Sequence, residues 1–150
     1  MNIREMQVIG AIYFKKYCYL KKISHPSVDE FFWYLLSLAS AEDLPEWESR
    51  GCQLSLSGRG DELPADLEAS LSEDDSSELS LMSELVCEIG LSQMYGATKL
   101  EEVRSFYSNA ENLALKCGVA KINLSEYSIP GTGWGQPVSE ETVKVWGENA

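Results

Sequence analysis

The side chains that could do chemistry in this 150-residue chain are carboxylates, because almost nothing else is available. His25 is the sole imidazole. It stands beside Pro26 at a break between two helical patterns, where an imidazole caps a helix or faces solvent. No Ser or Cys carries a nucleophile-elbow pattern with which it could act. Di-iron chemistry in a helical bundle takes two Glu-x-x-His pairs, which one histidine cannot supply. Cys18, Cys52, Cys87 and Cys117 are 30 to 35 residues apart, with no CxxC spacing of a zinc or redox site. They read as free thiols serving as small core hydrophobes.

Glu84 and Glu88, like Asp74 and Glu78, are four residues apart and could share a helix face. Acid–base work by such a pair needs a pocket that drives the two pKa values apart. Nothing in the neighbouring sequence builds one, so a solvated acidic face is the simpler reading. Asp61, Glu62, Asp66 and Glu68, followed by Glu73, Asp74, Asp75 and Glu78, offer many oxygens, but the spacing of a calcium loop is absent. Gly131-Thr132-Gly133-Trp134-Gly135 precedes a helical pattern but has neither GxGxxG spacing nor a GK[ST] ending. The expectation is a protein that is not an enzyme and uses no cofactor or metal.

The carboxylates are unevenly placed. The chain has 24 acidic and 12 basic side chains, a net charge of −12. Residues 1–28 are +4, residues 29–90 are −14 and residues 91–150 are −2. Such a surface repels nucleic-acid phosphate and anionic lipid, which argues against direct binding to either. Lys15, Lys16, Lys21 and Lys22 read as pairing with the neighbouring acidic block. The apolar run Val8 to Phe14 is too short to cross a bilayer and lacks a cleavage site, so the expected compartment is the cytoplasm. Without a secretion signal, Arg59-Gly60-Asp61 and the sequon Asn123-Leu124-Ser125 are chance matches.

The elements that must position these groups are helical. Ile3, Met6, Ile9, Tyr13 and Tyr17 recur at helical intervals and predict a helix over 3–22. Ser27 with Glu30 forms a capping-box pattern ahead of a helix over 28–42, whose run Phe31 to Leu36 is apolar on nearly every side and predicts the central buried element. A short turn of helix follows Pro45 and bears Trp47. Cys52, Leu54 and Leu56 alternate with polar residues, as in a connection or a short strand. Pro64 opens a short helix with Leu63, Leu67 and Leu71 on one side. Ser72 to Ser80 reads as a loop and the acidic start of a helix over 77–95, with Leu81, Met82, Leu85, Val86 and Ile89 inward. Thr98 with Glu101 starts a helix through Lys116, with Leu100, Val103, Phe106, Tyr107, Ala110, Leu113 and Ala114 as its stripe and Gly118 as its stop. Residues 119–129 are ambiguous, with room for a short extended piece. An irregular loop from Pro130 to Pro137 surrounds Trp134, and a last helix runs from Ser139 to Trp146. Length and pattern together predict a mostly α fold: one helical domain, residues 1–150, of five to six helices with irregular loops.

Sixteen carboxylates within residues 29–90 repel one another, so their concentration asks for a reason. A cationic partner supplies one, since charge of one sign speeds encounter with the opposite sign. Solubility of a generic interaction or self-assembling protein is the alternative. Length, acidity, the missing catalytic groups, the aromatic stretch 31–36 and Glu42-Asp43-Leu44-Pro45-Glu46-Trp47 resemble the small acidic immunity proteins of bacterial toxin–immunity systems, including contact-dependent growth inhibition. The resemblance implies stoichiometric binding to a cognate toxin and blocking of its active site. A nuclease-type toxin has a basic cleft that carboxylates could fill in place of phosphate. The carboxylates Asp61, Glu62, Asp66, Glu68, Glu73, Asp74, Asp75 and Glu78 are then the candidate docking surface. Trp47 and Trp134 are the candidate anchors.

Overall fold

The longest unbroken run of buried residues in the molecule is the first helix. The computed structural model describes residues 1–95 and 99–150. Helix α1 (Ile3–Leu20) begins at Asn2, whose side chain accepts the Glu5 N–H, while the Glu5 carboxylate accepts the Asn2 N–H. From Met6 to Phe14 every residue is buried. A helix apolar all round belongs in the middle of a fold. Accordingly α1 packs against α2 (Pro26–Ser37), α5 (Glu73–Met94), α6 (Leu100–Lys116) and a 3₁₀ turn (Leu124–Tyr127). Three shorter helices complete the order: α3 (Leu44–Gly51), α4 (Ala65–Ala69) and α7 (Glu140–Glu148). The fold is all-helical, with seven α-helices and no strand among the described residues, slightly more helices than the pattern predicts.

Polar and small residues bring the central helices together. Gln7, inside α1, donates from Nε2 to Val86 O (2.8 Å) and accepts the Gly90 N–H at Oε1 (3.0 Å), so its amide spans one rung of α5. A Cβ on Gly90 would lie 2.5 Å from Leu38 and 2.9 Å from Gln7 Oε1. A Cβ on Gly10 would lie 2.7 Å from Ile89. The glycine that weakens the helical pattern of α1 is therefore where α5 makes its close approach.

Several expectations need correction. The central element is α1, not α2, because α2 keeps one side open at Trp33. His25, not Ser27, caps α2: its Nδ1 accepts the Ser27 N–H (3.1 Å), and Pro26 takes the first helical position, where no N–H is needed. Helix α5 starts at Glu73, capped by Ser72, so the acidic run forms its first turn instead of a loop. There the carboxylates meet unpaired N–H groups. Leu81 (50% exposed) and Leu100 face outward, because the inward stripes run through Leu79, Met82, Val86 and Ile89 and through Val103, Tyr107, Ala110 and Ala114. The alternation at 52–56 forms no strand; Leu56 is buried while Cys52 is exposed. The Thr98–Glu101 capping box falls partly outside the described residues.

All four thiols are free, but only Cys18 and Cys87 are buried; Cys117 is half-buried. Burial pushes the Cys87 thiol up to about 12. In the native protein a thiol-reactive dye is expected to modify Cys52 first, and Cys18 and Cys87 only at the rate of unfolding. Peptide mapping of the labelled product over time checks the order.

Candidate functional site

The exposed side of α2 carries Glu30, Trp33 and Ser37, spaced to line one helix face. Two other helices rise on either side of it. On one side, α3 is held by a reciprocal clamp. The Trp47 ring stacks on Tyr34 (centroids 4.3 Å apart, planes at 12°), and its indole N–H donates to Tyr34 O (3.0 Å) and Ser37 Oγ (3.2 Å). The Tyr34 hydroxyl in turn donates to Trp47 O (2.8 Å). On the other side, α7 reaches α2 through Gly147, where a Cβ would strike the Trp33 ring and approach Leu36. Lys15 closes that contact by donating to Gly147 O (3.1 Å), with its ammonium 4.8 Å from the Phe32 ring centroid.

Between these walls lies an open groove of about 760 Å³, which continues past Trp33, Ser37 and Arg50 into a hollow of about 420 Å³ bordered by Glu30. Its floor includes Trp33, 39% exposed, with Ala41, Val138 and Val143. Glu42, Asp43 and Glu46 line it on the α3 side and Glu140 on the α7 side. Arg50 is the only basic side chain lining it among the described residues, and its Nε pairs with Glu46 at 3.3 Å. The local fold tolerates this crowding because three of the carboxylates sit at helix starts. Asp43 caps α3 by accepting the Glu46 N–H (3.0 Å), Glu46 lies in the first turn of α3 and Glu140 in that of α7.

The α7 wall is positioned from below by Arg4. Its guanidinium is buried and donates to Leu38 O (3.1 Å), Ala41 O (2.7 Å) and Gly135 O (2.7 Å), joining the end of α2 to the glycine-rich loop. Burial lowers the Arg4 pKa from its usual value. The Val138 N–H donates to Ala39 O (2.9 Å) and leads the chain into α7, capped by Ser139. Chemically, the groove suits a cation over an indole face with carboxylates around it. Such cation–π contacts are worth about 0.5–1 kcal/mol when exposed and about 2 when desolvated.

The expected docking carboxylates lie elsewhere, on and around α4 and the start of α5, and none lines this groove. Several are engaged internally. Asp61 accepts the Ser57 hydroxyl (2.9 Å), and Asp66 accepts from His25 Nε2 (3.0 Å), a bond that holds its pKa below the usual range. Lys21 pairs with Asp75 (3.6 Å) and Glu78 (3.2 Å). Glu78 also accepts the Tyr17 hydroxyl (2.8 Å). Glu62, Glu68, Glu73 and Asp74 remain exposed. Of the four N-terminal lysines, Lys21 alone meets the acidic block as expected among the described residues.

Trp47 is corrected outright: fully buried in its clamp, it is a core residue and cannot serve as an anchor. Trp134 is half-buried, 5.8 Å from the Arg4 guanidinium, and borders a separate hollow of about 350 Å³ with Met94 and Tyr95. The residues that sequence reasoning missed are Trp33 and the rim Glu30, Glu42, Asp43, Glu46 and Glu140. The spacing of Glu30, Trp33 and Ser37 was the available signal for an open face. Nothing local could have brought Glu140 there.

Among the described residues, no group of three or more His, Cys, Asp or Glu converges as a metal site, and no helix is long and apolar enough to cross a membrane. No protein-family model matches the chain, and no curated protein or solved structure is significantly similar to it.

Glu78 provides a test of the internal use of the acidic block. Burial raises its pKa, but the hydrogen bonds from Tyr17, Lys21 and Cys117 outweigh this and leave it below its ordinary value of 4.5. A carboxylate depressed in the folded state stabilises the fold above its unfolded pKa, and that stabilisation is lost as pH falls through the folded pKa. Thermal stability is therefore expected to drop as pH falls below about 4.5. Glu78→Gln should be less stable at neutral pH, with a flatter acid limb. Calorimetry from pH 7 to pH 3 measures both.

Proposed function

We propose that this protein is a stoichiometric inhibitor of the immunity type, which binds a basic, nuclease-type toxin of its own cell and covers the toxin's active site. The observation that carries the reading is the groove over Trp33, with five carboxylates at its edge and one basic side chain already engaged by Glu46. Lys and Arg side chains that grip phosphate in a nuclease cleft would find carboxylates there in place of phosphate. Trp33 offers the half-open aromatic surface of an interface anchor, and partner contact would complete its desolvation. The exposed Glu62, Glu68, Glu73 and Asp74 add long-range attraction without needing to touch the toxin.

Both segments that carry the resemblance to immunity proteins contribute to this region. Residues 31–36 supply Trp33, and residues 42–47 supply Glu42, Asp43 and Glu46. The reading also accounts for the concentration of like charge. Each added carboxylate costs stability through self-repulsion and returns faster encounter with a cationic surface.

The test uses a basic nuclease toxin domain from the same genome, sought first in the neighbouring open reading frame, with association followed by stopped-flow at low and physiological salt. The triple variant Glu42→Lys, Asp43→Lys, Glu46→Lys is expected to slow association by about 10-fold or more and to flatten its salt dependence. Trp33→Ala should leave association nearly unchanged and speed dissociation by about 30-fold, as for an anchor worth roughly 2 kcal/mol. Glu73→Lys with Asp74→Lys should have a smaller effect, confined to low salt. Wild-type kinetics in the triple variant, or a toxin that stays active at equimolar protein, would sink the proposal.

A further inference from the structure

Two helices end side by side on a surface of opposite chemistry. Helices α1 and α6 close with the same turn. In α1, Ile23 N–H donates to Cys18 O (2.8 Å) and Lys22 N–H to Tyr19 O (3.1 Å). In α6, Val119 N–H donates to Ala114 O (3.0 Å) and Gly118 N–H to Leu115 O (3.0 Å). The turn forces the residue after the C-cap into the left-handed region, where a side chain is disfavoured. Gly118 (φ 108°) suits that position; Lys22 (φ 58°) is the only non-glycine residue with positive φ among the described residues. The two turns adjoin, since a Cβ on Gly118 would lie 3.5 Å from Leu20. A lysine where its counterpart is glycine invites an explanation.

Its surroundings supply one. Tyr19 is 87% exposed and Leu20 is 44% exposed. Lys16, Lys22, Lys116 and Lys121 are exposed nearby and make no ion pair among the described residues. A hollow of about 500 Å³ opens beside Tyr19, with Lys16 and Lys121 among its lining residues and Glu126 as the only carboxylate among the described residues. In a chain of net charge −12, this is a projecting aromatic with lysines on the surface beside it. It is complementary in sign to the acidic groove over Trp33.

We propose that this basic end docks into the Trp33 groove of a second copy of the chain, with Tyr19 seated against Trp33 and Lys16, Lys22 and Lys121 facing Glu42, Asp43 and Glu46. Two chains of net charge −12 repel each other at long range, so only oppositely charged faces can meet, and the contact is directional. At physiological ionic strength, where screening acts beyond about 8 Å, the overall repulsion is damped and the local pairs survive; near 1 M salt they too are screened. Copies joined in this way bury the groove, so a cationic partner competes with self-association. This inference rests on the groove as the functional surface, but its test separates the two.

Sedimentation velocity from micromolar to several hundred micromolar protein provides the test. Wild-type protein is expected to associate with rising concentration at physiological salt and to be monomeric near 1 M salt. Tyr19→Glu with Lys16→Glu, exposed substitutions checked for fold by circular dichroism, should be monomeric throughout. Glu42→Lys with Asp43→Lys should also be monomeric. An equimolar mixture of these two variants keeps one working groove and one working basic end, and should form a one-to-one dimer that grows no further. Lys22→Gly should melt a few degrees higher yet associate several-fold more weakly. A wild-type protein that is monomeric at every concentration, or a mixture that stays monomeric, overturns the inference. Toxin inhibition retained by the Tyr19/Lys16 variant leaves the proposed function intact in that case. Normal toxin binding by the groove variants would instead overturn that function.

Discussion

A buried guanidinium that meets carbonyls and, among the described residues, pairs with no carboxylate holds this structure in register. Arg4 is 4% exposed, and its three hydrogen bonds go to Leu38, Ala41 and Gly135. Leu38 caps α2 and Ala41 lies in the turn just beyond it, at the helix end where carbonyls concentrate negative partial charge, so the cation is compensated by the backbone. A planar fork of donors can serve three carbonyls from one position, which a lysine ammonium does less well. Asn2 and Glu5 extend the same tie: Asn2 Nδ2 donates to Ile129 O and Gly131 O, and Glu5 accepts the Ile129 N–H. Residues 2 to 5 thereby fix a loop more than 120 positions away. That loop delivers α7 to the flank of α2, without which the groove would have one wall.

The groove owes its aromatic floor to how little room α7 needs at Gly147. Trp33 rests against that glycine on one side and stays open on the other. Trp47 shows the opposite arrangement. Its ring and its N–H are both satisfied by Tyr34 and Ser37, so it is consumed in holding α3. One tryptophan builds the wall and the other is displayed between the walls, a division of labour that depends on which side of α2 each one meets.

Charge shows a similar division. Part of the acidic block is structural, as when Glu78 gathers Tyr17, Lys21 and Cys117 where α1, α5 and α6 meet. Another part caps or begins helices, where a carboxylate offsets the N-terminal dipole. Asp43, Glu46 and Glu140 belong to that group and also line the groove. Helix starts are thus a favourable place to concentrate negative charge at the surface, because the fold itself favours it there.

The sequence alone determined the helical class, most helix positions and the separation of charge along the chain. These follow from periodicity and from side chains bonding to backbone within a few residues, which is local physics. It also placed His25 at a helix junction and gave no reason to join the cysteines. Only the tertiary structure decided that α1 and not α2 is central, that Trp47 is spent in the core while Trp33 stays open, and that Glu140 faces Glu42 across a groove. Two apolar helices look alike in one dimension. Which of them is enclosed depends on how closely neighbours approach at Gly10, Gly90 and Gly147, and on distant carbonyls gathered by Arg4. Such contacts join residues tens of positions apart, and no local pattern records them.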